Sequence, residues 1–434
     1  MTERTLPATL RFMHAARRSE LLGLEDLTRT CELVTRVSRL VHVLQKERGY
    51  SNIYLSGNAP HHRAQLDELS AAAEGLEQDV RQALEGFDTD TLRAADKTRL
   101  FSRIAYALHE LDELPSLRRR IREHRIGMQD ATATLVRLIG GLLAVVFEAA
   151  DTAADPDITR ALVALFNFMQ GKELAGQERA VGVVGFAAGF FDAERQERLR
   201  QLVEGQERSF ATFARFAGEQ ALATWEQLQG AEISREVARF RELALKTSEQ
   251  ARVDGTLCEL WFELQTRRID EMKTVESRLE WDLLEQCRES MARIQRELND
   301  HRALLDRLAG LHAPSEQAKL FSIQARELDS PPADGMTDAV ERSTLELLQR
   351  QTQRLQRVND ELKEARQALN ERKLIERAKK LLMEQYGLGE AEAHARLRQA
   401  AMDQGVRMDD LAQRLLATAS ETRPPRPRTP RRGG

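Results

Sequence analysis

Cysteine is scarce in this 434-residue chain: Cys31, Cys258 and Cys287 stand far apart. Three scattered thiols build neither a disulfide framework nor a cysteine-based zinc site, and they fit a reducing cytoplasm. Aromatic residues make up only 5%, so any large core must be filled by aliphatic side chains. Proline is almost as rare before the last third, where Pro7, Pro60, Pro115 and Pro156 are the only ones ahead of residue 300. Hairpin dipeptides are few as well, which leaves an antiparallel sheet little to turn on. The longest apolar run, Leu138 to Phe147, ends at Glu148; a bilayer takes about 20 residues, so no membrane span is expected. The first seven residues have no basic stretch leading into an apolar core, and no signal peptide is expected from them. Phosphate-binding glycine loops, paired zinc histidines, nucleophile elbows and dinucleotide fingerprints are all missing, so the chain is not expected to be an enzyme, and no metal or cofactor is implied. His61 and His62 read as a turn, while His109, His124 and His394 stand singly on helical patterns.

What remains is rich in Ala, Leu, Arg, Glu and Gln, with 31% charged residues. The periodicity predicts an all-α protein with helices near 24–56, 61–86, 90–111, 116–149, 158–190, 192–217, 219–249 and 253–310. Eight helices of that length suit two four-helix bundles, or one elongated pair sharing long members, so 24–310 reads as one sensor-sized body. Residues 311–338, with Pro314, Pro331, Pro332 and Gly335, break the pattern and read as a linker. From 339 to 370, Leu348, Leu355, Leu362 and Leu369 fall seven apart, with Val358 and Ala365 at the alternate seam positions. That is a short coiled coil, and it predicts a homodimer; a single amphipathic helix packed on the body is the competing reading. The Arg-Pro tail, 421–434, cannot form helix and is expected to be disordered.

Charge is unevenly divided. Residues 366–434 carry fifteen Lys and Arg against nine Asp and Glu, a local +6, which leaves −10 for the rest of a chain whose net charge is −4. A sensor joined to a nucleic-acid-binding end has such a split, although solvated helix faces give it too. Within 371–420, three short apolar stripes recur at helical spacing: Leu374, Ile375, Ala378, Leu381 and Leu382; then Ala393, Leu397, Ala400 and Ala401; then Leu411, Leu415 and Leu416. Three such helices must pack on each other, with Gly387 and Gly405 as C-terminal stops. Arg372, Lys373, Arg377, Lys379, Lys380, Arg396 and Arg398 lie on the opposite faces, where phosphates can be met. The run E-R-K-x-I-x-R-A-K-x-L-L-M from Glu371, then E-A-x-x-x-L-R-x-x-A-M and L-A-x-x-L-L, resembles an ANTAR domain, the RNA-binding module of transcription antiterminators. The resemblance implies a small three-helix RNA-binding domain, with Arg372, Arg377, Lys379, Lys380 and Arg398 as contact candidates. Lys379 and Arg398 sit at the family's A-K and L-R positions. Lys380 replaces a frequent glycine, and Gly389 stands where a Ser-type helix cap is common.

Two segments far upstream share a design. Leu44-Gln-Lys-Glu-Arg-Gly49 and Gly176-Gln-Glu-Arg-Ala180 both place Glu-Arg just before a small residue and an apolar stretch. A long cation ahead of close-packing residues points to a guanidinium buried between helices, which needs a carboxylate or a bound anion. These segments, with Trp261 to Asp270 as a closing helix, resemble the NIT domain, a nitrate- and nitrite-sensing module of two packed four-helix bundles. The resemblance implies an anion site of arginines from different helices. Arg48 and Arg179 match best, and for a late arginine both Arg241, by spacing, and Arg268, in the T-x-R-I-D-like stretch, qualify. A guanidinium offers planar paired donors that suit the acceptor oxygens of planar nitrate.

Together the two resemblances imply a cytoplasmic, nitrate- or nitrite-responsive antiterminator that binds paired hairpins in leader RNA and permits expression of nitrate assimilation genes, with RNA rather than DNA or membrane as its partner. Two other readings stand beside it. One is a helical signalling or scaffold protein whose C-terminal helices bind protein only; the other is an antiterminator answering a different small anion, or a redox signal at the cysteines.

Overall fold

The computed structural model describes residues 8–55, 62–85, 87, 97–153, 155–310, 363, 367, 370–371 and 373–421. The linker, nearly all of the predicted coiled coil, the tail and Arg372 lie outside the described residues. Everything regular among the described residues is helical: α1 (Ala8–Leu55), α2 (His62–Glu85), α3 (Thr98–Arg122), α4 (Met128–Thr152), α5 (Pro156–Ala188), α6 (Ala193–Phe216), α7 (Glu219–Gly230), α8 (Glu232–Lys246) and α9 (Leu257–Gly310). After these come α10 (373–386), α11 (Glu390–Gln404) and α12 (Met408–Glu421).

Local chemistry explains several of the boundaries. Asp155 caps α5 by accepting the Ile158 amide at 3.1 Å with Pro156 in the first turn, and Asp192 caps α6 through the Arg195 amide at 2.8 Å. Both are side-chain oxygens satisfying an orphan amide of the first turn. Asp254 accepts the Thr256 and Leu257 amides, so α9 starts at Leu257 rather than 253. Gly387 and Gly405 take positive φ, 66° and 62°, and end α10 and α11 as expected. Gly389 does begin α11, without a side-chain cap.

Other boundaries differ from the periodicity as well. α1 begins at Ala8 instead of 24, since no breaker follows Pro7. The stretch 219–249 divides at Gly230 and Ala231 into α7 and α8. Pro115 was expected to separate 90–111 from 116–149, yet α3 runs through it and the break comes at 123–127, where His124 takes φ 54°. An interior proline costs about 3 kcal/mol. Leu111, Leu114, Leu117 and Ile121 are buried around it, and each such burial is worth about 1.5–3 kcal/mol, so packing outweighs the lost hydrogen bond.

Helices α1–α4 form one bundle and α5–α9 the other, joined where α1 and α4 pack on α5 and α1 on α9. One aliphatic core runs through both, built from residues such as Val34, Leu40, Leu44, Leu142, Val146, Leu165, Met272 and Leu279. The few aromatics concentrate in the second bundle, in Phe168–Phe210–Phe213–Trp225 and Phe186–Phe191–Phe240–Trp261. α4 has the length and apolar composition of a membrane-crossing helix, but Leu135, Leu138, Leu142, Val145 and Val146 are buried against neighbouring helices. The C-terminal helices close on their own small core of Ala378, Leu397, Ala401, Leu411 and Ala412.

Candidate functional site

The two Glu-Arg pairs lie on α1 and α5, where the bundles meet. In each, consecutive side chains point about 100° apart on the helix and serve different partners. Glu47 turns into its own bundle, taking Arg118 Nε at 2.7 Å, Arg118 Nη2 at 2.9 Å and the Ser70 hydroxyl at 2.8 Å. Glu178 likewise turns into the second bundle, held by Arg241 Nε at 2.6 Å, Arg241 Nη2 at 2.7 Å and Gln206 Nε2 at 2.8 Å, with Arg268 Nη1 at 3.6 Å.

The arginines cross over. Arg48, 1% exposed, reaches from α1 to Glu173 on α5 with both terminal nitrogens, Nη2 donating to Oε2 at 3.2 Å. Arg179, also 1% exposed, reaches from α5 toward α1 and α9, donating to the Gln45 carbonyl and the Thr266 hydroxyl, both at 2.8 Å. Its guanidinium stands over the Phe262 ring, 5.1 Å from the centroid. Trp261 Nε1 donates to the Arg179 carbonyl at 3.1 Å and fixes that turn of α5.

Glycines make the crossing possible. A Cβ on Gly176 would lie 2.4 Å from Arg48 Nη2, and one on Gly49 would lie 2.4 Å from Arg179 Nη2. Each guanidinium therefore occupies the space that a side chain would fill on the opposite helix.

The electrostatics of the two arginines differ. Arg48 has the Glu173 carboxylate, while its buried Nε has no partner among the described residues. Arg179 has neutral acceptors only and no carboxylate within ion-pair distance among the described residues. Burial first, and repulsion from Arg48 second, lower the Arg179 pKa to about 10. Two buried guanidiniums, of which only Arg48 has a carboxylate within ion-pair distance among the described residues, together with a spare N–H donor, form a fitting receptor for one small planar anion. A surface groove lined by Tyr50, Phe262, Thr266 and Asp270 opens beside the residues that hold Arg179.

Of the four predicted arginines, the structure thus brings Arg48 and Arg179 together. Arg241 and Arg268 form a second cluster around Glu178, on another face of α5, where burial first and then Arg241 lower the Arg268 pKa to about 10. Gln45, Glu173 and Thr266 escaped the sequence reading. Gln45 and Thr266 had a signal, in the L-Q-x-E-R-G motif and the T-x-R-I-D-like stretch; Glu173 is one of 69 acidic residues.

The basic residues of the C-terminal module point in two directions. Arg377 and Lys380 are exposed, Lys380 lying 3.9 Å from Glu384. Lys379 is 7% exposed, pairs with Glu376 at 3.0 Å, and lines a cavity with Phe166, Asn167, Gln170 and Leu202 of the sensor. Arg398 pairs with Glu204 of α6, and Lys373 pairs with Asp151 at 2.5 Å while standing over Phe147. His394 lines the same cavity; burial, with Arg208 next, lowers its pKa to about 4. Two side chains suited to phosphate, Lys373 and Arg398, are therefore held by sensor acids.

Comparison with known proteins identifies both parts of the chain. The family described as nitrate and nitrite sensing (NIT) matches residues 39–284, and the ANTAR domain matches residues 363–416. The chain is 34% identical over 415 residues to the nitrate regulatory protein of Klebsiella oxytoca, spanning 94% of this chain and 95% of that one. It is also similar to a solved structure described as that of the NasR transcription antiterminator, with TM-score 0.58 and 32% identity over 96% of this chain and 100% of the other.

Proposed function

We propose, since this chain belongs to the NIT family of nitrate and nitrite sensors and carries an ANTAR domain, that an anion bound by Arg48 and Arg179 controls release of its RNA-binding end. Nitrate-responsive transcription antitermination is the function the two domains carry together. The observation that carries the site assignment is the reciprocal crossing of Arg48 and Arg179 between bundles, with the Glu173 carboxylate paired to Arg48 and neutral acceptors holding Arg179. Without ligand the two cations repel across the joint; a bound anion removes that repulsion and favours a different relative position of α1 and α5. Arg241 and Arg268, tied to Glu178, act as supports of α5 in this reading.

The described arrangement is the closed state of the switch. Arg398–Glu204 and Lys373–Asp151 dock the module on the sensor, and anion binding opens these contacts through α5, α6 and α9. Lys379 and Arg398, joined by Arg372, Arg377 and Lys380, then contact the phosphates of paired hairpins in leader RNA. A homodimer formed through 339–370 sets the spacing of two modules. The protein works in the cytoplasm on transcripts for nitrate and nitrite assimilation.

The test is RNA binding with and without nitrate. A two-hairpin leader RNA should bind at least tenfold more tightly in nitrate, with affinity falling as salt rises. Arg48→Ala should abolish the nitrate response. Nitrate-independent affinity in the wild-type protein would sink the switch, and absence of RNA binding in every condition would sink the output.

A further inference from the structure

The Glu173 carboxylate is built into the anion site itself. It accepts from both terminal nitrogens of Arg48, from Gln45 Nε2 at 3.0 Å and from Gln177 Nε2 at 3.0 Å. Those four donors are the coordination an oxyanion requires, already assembled around a planar, delocalised O–C–O group. The carboxylate thus presents to Arg48 the same paired acceptors that nitrate would. It is 2% exposed, so water does not compete for these donors. The charge count is also informative. Arg48 and Arg179 bring two positive charges and Glu173 removes one, and both Glu47 and Glu178 are engaged by arginines of their own bundles. Asp270, the other carboxylate near Arg179, is neutralised by Lys46 at 3.1 Å and is part-exposed.

We propose that Glu173 is the internal counter-ion of the anion site: it competes with ligand for Arg48 and leaves the empty pocket with one net positive charge, so that a monoanion is accepted and a dianion rejected. A bound monoanion neutralises the joint, whereas a dianion would leave a buried negative charge with no partner, which a low-dielectric interior strongly disfavours. The same competition keeps affinity moderate, because what the ligand gains at Arg48 is offset in part by what Arg48 loses in loosening from Glu173. This inference rests on the proposed nitrate site and adds the origin of its charge selectivity.

The experiment is calorimetric titration of the full-length protein with sodium nitrate and with sodium sulfate at matched ionic strength. It compares wild type, Glu173→Gln, Glu173→Asp and Arg48→Ala, with circular dichroism and gel filtration as checks of folding. Wild type should bind nitrate and give no sulfate heat. Glu173→Gln should bind nitrate at least tenfold more tightly and acquire measurable sulfate binding. Glu173→Asp keeps the charge but shortens the reach, so it should bind nitrate more tightly than wild type while still refusing sulfate; if Glu173→Gln fails to fold, this variant decides. The proposal is overturned if either folded variant binds nitrate as weakly as Arg48→Ala, which would make Glu173 a mere support for Arg48. It is overturned equally if Glu173→Gln leaves both titrations unchanged or if wild type already binds sulfate. No nitrate heat in wild type would instead remove the proposed function on which the inference stands.

Discussion

Replacing Gly176 by Ala sets two effects of opposite sign against each other. In the middle of α5, alanine stabilises a helix by about 1 kcal/mol relative to glycine, and on propensity alone the variant should be more stable. The added Cβ, however, would lie 2.4 Å from Arg48 Nη2, a distance no real methyl tolerates. The guanidinium must move, and Nη2 then loses its 3.2 Å hydrogen bond to Glu173 Oε2. A charge-assisted hydrogen bond is worth about 1.5–3 kcal/mol, so the net effect is a destabilisation of about 1 kcal/mol if only that nitrogen shifts. If the whole pair opens and Glu173 is left buried without its cation, the loss approaches about 4 kcal/mol. Nitrate affinity should fall at least tenfold, because the same nitrogen is one arm of the proposed receptor. Urea denaturation followed by circular dichroism reads the first quantity and calorimetry the second. A variant about 1 kcal/mol more stable than wild type, with unchanged nitrate binding, would mean that the Arg48 head does not lie against Gly176, and the crossing of arginines would fall with it.

Other contacts make equally definite claims. Arg118→Ala leaves the buried Glu47 carboxylate with only the Ser70 hydroxyl; unfolding free energy should drop by about 3–5 kcal/mol, and a loss below about 1 kcal/mol in denaturant titration would refute the buried pair. Glu204→Arg removes the partner of Arg398 and adds repulsion. Both side chains are more than a third exposed, so the attraction lost is about 0.2–1 kcal/mol, and RNA binding without nitrate should rise only a few-fold in gel-shift titrations, whereas no rise at all would argue against a closed contact there. His394 faces Arg208 of the sensor and Lys379, Glu376 and Arg398 of its own module; burial first and Arg208 next lower its pKa to about 4, and undocking removes Arg208 and the sensor's share of the burial, which raises it toward the ordinary 6.5. The undocked form therefore binds the extra proton, and docking weakens as pH falls from about 6.5 toward 4. Limited proteolysis of the C-terminal module at pH 7.5 and 5.5 should show faster release at the lower value, and His394→Gln should lose that dependence.

Much of this arrangement was legible in the residue order. The three apolar stripes of 371–420 predicted three helices, and they close on Ala378, Leu397 and Leu411. Arg48 and Arg179 stood out because a long cation precedes a small residue in both segments, and the structure places each against the glycine beside the other. Pro115 misled, because a local rule met a stripe of four buried aliphatic residues that no local rule weighs. Arg241 and Arg268, the two candidates for a late arginine, both attach to Glu178, a meeting that no local spacing specifies.

Helix type, the capped helix ends and the identity of the basic side chains depend on neighbours within a turn or two, so the order of residues by itself determined them, whereas the continuation of α3 through Pro115 rests on packing. The tertiary structure alone decided which charges meet. Arg48 and Glu173 are 125 positions apart, and Arg398 and Glu204 are 194 apart. Nothing near either member specifies the other, because every helix face in so charged a chain carries alternatives. Their pairing is set by the rotation and register of α1 against α5, and of α11 against α6, which the whole core fixes by close packing. Burial then gives a few of those pairs their weight: in water they would be worth almost nothing, whereas between the bundles a charge left without its partner is costly.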